Sequence, residues 1–97
     1  MKVLMLVLIM LFGVLVNAKT PQEICKDYYN FAETVMKSRQ SNTSIIKLVE
    51  IVGDNKALNT IILEAYKVPL YQTDSYKVQA QKDFANKIYL TCTSSIS

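Results

Sequence analysis

Two cysteines, six tyrosines, eight carboxylates and a single arginine are the residues of this chain with chemistry to offer. There is no histidine, which excludes a histidine-based catalytic triad and an ordinary zinc or haem site. Cys25 and Cys92 lie too far apart for a CxxC redox pair. Gly53 is the one glycine downstream of residue 18, so no glycine-rich loop is present to cradle a phosphate. The carboxylates read as solvated surface (Glu23, Asp27, Glu33, Asp83) or as helix caps (Asp54, Asp74) rather than as an acid–base pair. The residue types therefore imply a protein that is not an enzyme and takes no cofactor and no metal.

The N-terminus explains what the cysteines are for. Met1-Lys2 is followed by an apolar run from Val3 to Val16 and by Val16-Asn17-Ala18. A positive start, a short apolar run and small residues before a cut site are the pattern of a secretory signal peptide cleaved after Ala18. The run is short for a membrane span, which takes about 20 apolar residues. An uncleaved N-terminal anchor is the competing reading. Cleavage leaves one domain, residues 19–97, exported to the periplasm or the extracellular space, with no stable membrane insertion.

Without Lys2 the exported chain holds 10 basic and 8 acidic residues, a net charge of +2. The charge is spread as single lysines, which is no footprint for nucleic acid or for anionic lipid. A domain of this size has a marginal core, and exported domains of such size add covalent staples. Cys25–Cys92 is the one disulfide possible within the chain. It would close a loop of about 68 residues and contribute on the order of 4 kcal/mol. Two free thiols or a bridge between chains are the alternatives.

Four helical segments must position these residues. Thr20, Pro21 and Glu23 form an N-cap, N1 proline and capping box, opening a helix that runs to Arg39. At 100° per residue, Ile24, Cys25, Tyr28, Phe31, Ala32, Val35 and Met36 share one arc. Glu33 and Lys37 pair on the opposite side. Arg39 falls in the apolar arc, either covering the core edge and binding carbonyls or a carboxylate, or contacting an anion or partner. Gln40 to Ser44 is a polar break with several capping residues, and Asn42-Thr43-Ser44 spells a glycosylation sequon.

Ile45 to Val52 reads as a short helix that is apolar nearly all round, with only Lys47 and Glu50 polar. Gly53 ends it and Asp54 caps a third helix, Lys56 to Tyr66, whose core face holds Ala57, Leu58, Ile61, Ile62, Ala65 and Tyr66. Pro69 stops that helix, leaving the apolar connection Val68-Pro69-Leu70-Tyr71. Thr73 or Asp74 caps a last helix reaching about Cys92, with Ala80, Phe84, Ala85, Ile88, Tyr89 and Cys92 inward and an Asp83–Lys87 pair outward. Thr93 to Ser97 reads as a frayed polar tail. The expected fold is all-α: a bundle of about four helices, the first and last antiparallel and joined by the disulfide.

Tyr28, Tyr66 and Tyr89 fit core faces, whereas Tyr29, Tyr71 and Tyr76 fall at edges. Edge tyrosines among apolar residues are common at binding surfaces. Ile46, Ile51, Leu63, Val68, Leu70 and Tyr71 are the candidate surface for another protein, with internal packing as the competing reading.

Cys25 to Met36-Lys37-Ser38-Arg39, Ala65-Tyr66 with Pro69, and Phe84 to Cys92 together resemble a type of small exported helical protein of Gram-negative bacteria and their phages. Those proteins share a signal peptide, a cysteine opening the first helix, a Met-x-x-Arg near its end and a cysteine closing the last. The resemblance implies a periplasmic location and no established activity. In architecture alone, the chain is also similar to periplasmic acid-stress chaperones. Two functions are thus expected: a protein-binding module such as an inhibitor, immunity or exclusion factor, or a chaperone that opens in acid.

Overall fold

The computed structural model describes residues 19–96; the signal-peptide reading of residues 1–18 lies outside the described residues. Four α-helices follow one another: α1 (Pro21–Gln40), α2 (Ile45–Val52), α3 (Lys56–Tyr66) and α4 (Asp74–Ile96). No strand occurs among the described residues. The fold is the all-α bundle expected from the periodicity. α1 is its centre: α4 packs along it, α3 leans on it from another side, and α2 packs on α3.

Local chemistry sets the helix boundaries. The Thr20 hydroxyl accepts from the Glu23 N–H at 3.2 Å, and Pro21 stands at the first helical position. Gly53 closes α2 with φ +66°, and its N–H donates to the Val49 carbonyl. That conformation suits a residue without Cβ. The cap of α3 is Asn55, not Asp54: the Asn55 side-chain oxygen accepts from the Leu58 N–H at 3.0 Å. Asn59 steadies the same turn by donating to the Gly53 carbonyl at 2.8 Å.

α4 continues past Cys92 to Ile96, so the expected frayed tail is helical. Three hydroxyls of its last turns fold back onto the helix, Thr91 to the Lys87 carbonyl, Thr93 to Tyr89 and Ser95 to Cys92. This is how such residues are accommodated inside a helix. Neither surface pair expected from spacing forms. Asp83 accepts instead from Gln79 at 2.8 Å, and Lys87 faces Glu64 across to α3. The ion pair at the start of α1 joins Lys19 to Asp27 at 2.7 Å.

The core is small. Ala32, Val35 and Met36 of α1 meet Ile61, Ile62 and Ala65 of α3 and Ala80, Phe84 and Ala85 of α4. Four of the nine are alanines, three of them on α1 and α4, and such small side chains allow close approach but remove little apolar surface from water. Tyr29 and Tyr89 extend the α1–α4 seam with an edge-to-face contact, ring centroids 6.3 Å apart. Ile24, placed on the inner arc by periodicity, is exposed, because it precedes the point where α3 covers α1.

Cys25 and Cys92 are bonded, with Cα atoms 5.6 Å apart. The bond joins the start of α1 to the end of α4, which makes the two helices antiparallel. Removing it, by reductant or as Cys25→Ser/Cys92→Ser, is expected to lower the unfolding free energy by about 4 kcal/mol. Urea melts of the oxidised and reduced protein measure this, and a loss below about 1 kcal/mol would contradict it.

Candidate functional site

The inner end of α1 carries an arrangement that periodicity alone did not expose. Gln40 is 3% exposed, the one buried polar side chain among the described residues. Its Nε2 donates to the Pro69 carbonyl at 2.9 Å, and its Oε1 accepts from the Tyr71 N–H at 2.9 Å. The side-chain amide thus pairs with the connection between α3 and α4 as a neighbouring backbone would. Beside it, Arg39 Nε donates to the Val68 carbonyl at 3.0 Å. Lys77, in the first turns of α4, donates to the Gln40 carbonyl at 2.6 Å.

Arg39 thus makes a contact within the fold, and its acceptor is a loop carbonyl rather than a helix-end carbonyl or a carboxylate. Its guanidinium also lies 5.3 Å from the centre of the Tyr66 ring, within cation–π range. Tyr66 in turn donates its hydroxyl to the Thr43 carbonyl at 2.6 Å, tying α3 to the α1–α2 turn. In that turn Asn42 adopts φ +60° and is exposed.

The physical reason for this cluster is that residues 67–73 belong to no helix. The Lys67 and Val68 N–H groups still donate to the Glu64 and Ala65 carbonyls, but the Val68 and Pro69 carbonyls and the Tyr71 N–H have no helical partner, and part of the segment is packed on the core through Val68 and Tyr71. Such groups must be satisfied by side chains. Gln40 was readable as the start of a polar break. Its spacing of four from Met36 and eight from Ala32, both buried, is the signal that it faces inward.

The candidate partner residues divide into two sets. Ile46 is 64% exposed, Ile51 78% and Leu63 53%. Leu70 and Tyr71 are half-buried; the Tyr71 ring packs on the core and against Tyr76, with centroids 6.0 Å apart. Ile51 borders a hollow of about 270 Å³ between α1 and α2, with Phe31, Val35, Leu48, Val52 and Ile62 around it. Nothing in the contacts unites Ile46, Ile51 and Leu63 with Leu70 and Tyr71 in one patch. α2 itself is the distinctive element. Every residue but Lys47 and Glu50 is aliphatic, yet none is fully buried. The inward residues Ile45, Leu48 and Val52 are half-covered, and Val49 joins the exposed side.

Glu64 bonds Lys67 at 2.8 Å and faces Lys87 at 4.0 Å. The hydrogen bond and charge of Lys67, then the more distant Lys87, hold its carboxyl below the usual 4.5. Among the described residues no group of three or more His, Cys, Asp or Glu gathers to hold a metal ion, and no helix is long and apolar enough to cross a membrane. Comparison with protein-family models, curated proteins and solved structures finds no match to this chain.

Two substitutions test the cluster. Gln40→Ala leaves the Pro69 carbonyl and the Tyr71 N–H without partners and is expected to cost about 3 kcal/mol in denaturant melts. Gln40→Glu keeps the acceptor for Tyr71 but cannot donate to Pro69, so it should also destabilise. Burial raises the Tyr66 pKa above 10.0, opposed by Arg39. A phenol with a raised folded-state pKa stabilises the fold fully below the unfolded value. That contribution disappears as pH rises through the folded one. Stability should therefore fall above about pH 10. Tyr66→Phe should remove that component of the alkaline loss and cost about 1 kcal/mol at neutral pH. Melts across pH, with phenolate absorbance followed in parallel, provide the check.

Proposed function

We propose that this protein is an exported, non-enzymatic binding module that engages another protein through α2, acting as an inhibitor, immunity or exclusion factor. The observation that supports this most directly is the exposure of Ile46 and Ile51, 64% and 78%, on a helix with no fully buried residue. Aliphatic side chains left in water on a stapled scaffold contribute little to its own stability. They are the kind of surface that a partner covers. The disulfide is compatible with an oxidising compartment and so supports export. The acid-stress alternative has less to stand on. It requires groups whose protonation would open the core, and the buried polar side chain among the described residues is Gln40, which does not titrate.

A photo-crosslinking residue at position 51, compared with one at the exposed polar position 37 of α1, tests this reading in periplasmic extract. Position 51 is expected to yield a discrete adduct with one protein and position 37 none. Ile46→Asp/Ile51→Asp should abolish the adduct formed from an unsubstituted site on α2. Its unfolding free energy should stay within about 0.5 kcal/mol of wild type, because these side chains are outside the core. Equal labelling from both positions, or an adduct that survives the double substitution, would refute the proposal. Leu63→Asp, made separately, shows whether the surface extends onto α3.

A further inference from the structure

A second apolar surface is an open cleft lined by residues of α3, α4 and α1. α3 and α4 both pack on α1, but they diverge from each other and leave a cleft of about 440 Å³. That is within the ordinary range for small-molecule sites. Ala57 and Ile61 form one wall, Ile88 and Thr91 the other, and Tyr28 with the Cys92 end of the disulfide completes it.

The polar residues of the wall do not make it polar. Thr60 donates its hydroxyl proton to the Lys56 carbonyl at 2.9 Å, and Thr91 donates to Lys87 at 2.8 Å. Ser95 donates to Cys92 at 2.8 Å. Each of these protons is engaged with its own helix. The cleft therefore presents a nearly continuous hydrocarbon lining.

Charge is concentrated among the lining residues Glu64 and Lys87. Glu64 is seven residues from Ala57 along α3, and Lys87 is eight from Ser95 along α4. At 1.5 Å per residue, the lining extends roughly 10 to 12 Å away from these charges. Glu64 is flanked by two ammonium groups, Lys67 at 2.8 Å and Lys87 at 4.0 Å. The trio carries one excess positive charge. Lys87 has the longer contact and a side chain 66% exposed, so it is the cation available to a ligand.

We propose that this cleft binds a single-chain fatty carboxylate, its tail along the lining between α3 and α4 and its carboxylate at Lys87. The lining length suits a medium chain. A cationic head would meet Lys87, and the one carboxylate of the lining, Glu64, is already bonded to Lys67 at 2.8 Å. This site is separate from the α2 surface and does not depend on it.

The test is calorimetric titration of the disulfide-bonded protein, expressed from the full chain, with octanoate, decanoate and dodecanoate below their micelle concentrations. Affinity should rise about fourfold per added methylene and level off once the tail outgrows the cleft. Lys87→Gln should weaken decanoate binding about fivefold and leave decanol unchanged. Ala57→Trp places a large ring at an exposed position of the wall and should abolish binding while preserving the melting temperature. Ile46→Asp/Ile51→Asp should bind as wild type. Absence of saturable binding overturns the proposal, as does decanoate binding undiminished in Ala57→Trp. Loss of binding in the α2 variant would place the ligand on α2 instead and also overturns it. Equal effects of Lys87→Gln on decanoate and decanol would remove the headgroup assignment.

Discussion

The bond between Cys25 and Cys92 is the constraint on which the other contacts rely. Nine buried apolar residues, four of them alanine, remove little surface from water. Ordering the chain costs on the order of 1–2 kcal/mol per residue in backbone entropy. Covalent closure reduces that cost by restricting the unfolded chain. It acts beyond the cluster of buried apolar side chains, whose first member on α1 is Ala32. At the Cys25 end of α1, Ile24 is exposed and the adjoining tyrosines are only half-covered. The staple holds α1 and α4 in register there, and the Tyr29–Tyr89 edge contact adds to the same seam one turn further in.

The opposite end of α1 is fixed without a covalent bond. Fifteen residues separate Cys25 from Gln40, about 22 Å along the helix. Over that distance the closure changes from a disulfide to a set of hydrogen bonds. Gln40, Arg39 and Lys77 together connect the last turn of α1 to the Val68–Tyr71 connection and to the start of α4. The arrangement is directional. An apolar side chain at position 40 could fill the space but could not fix the connection's backbone, and therefore could not set the angle at which α4 returns. Arg39 and Tyr66 extend the constraint to the α1–α2 turn through the Thr43 carbonyl. Each end of the central helix is thereby tied to α4 by a different kind of chemistry.

What could be read from sequence follows from which interactions are local. The helix spans were legible because their determinants lie within a few residues: the Thr20 cap, Gly53 at a positive φ, and Pro69 stopping α3. The α1–α4 pairing was legible because two cysteines leave few alternatives. Tertiary polar contacts were not legible. Gln40 read only as the start of a polar break because its partners lie about 30 residues downstream, and Asp83 and Lys87 looked like a pair until the neighbours of each were known. Tyr71 and Leu70 looked peripheral because a proline-containing connection suggests exposure. They are half-buried because that connection is held on the core. α2 was ambiguous for a different reason: an aliphatic helix with only two polar residues has no marked wet face, so only packing could decide which side stays out.

The distribution of aliphatic residues follows from the same constraint. Ile46, Ile51 and Leu63 lie outside in a chain whose interior contains four alanines. Turning α2 inward would deepen the core, but it would require more of its surface to meet α1, and α1 is already occupied by α3 and α4. α3 and α4 cover the apolar arc of α1 completely enough that α2 lies across the edge, on α3. The closed loop makes this arrangement tolerable, because stability no longer rests on apolar burial alone. A small domain closed in this way can leave aliphatic residues on its outside. The α2 surface and the cleft between α3 and α4 then arise from one cause: α1 gathers α3 and α4 without closing them fully on each other, and α2 is left to pack on α3.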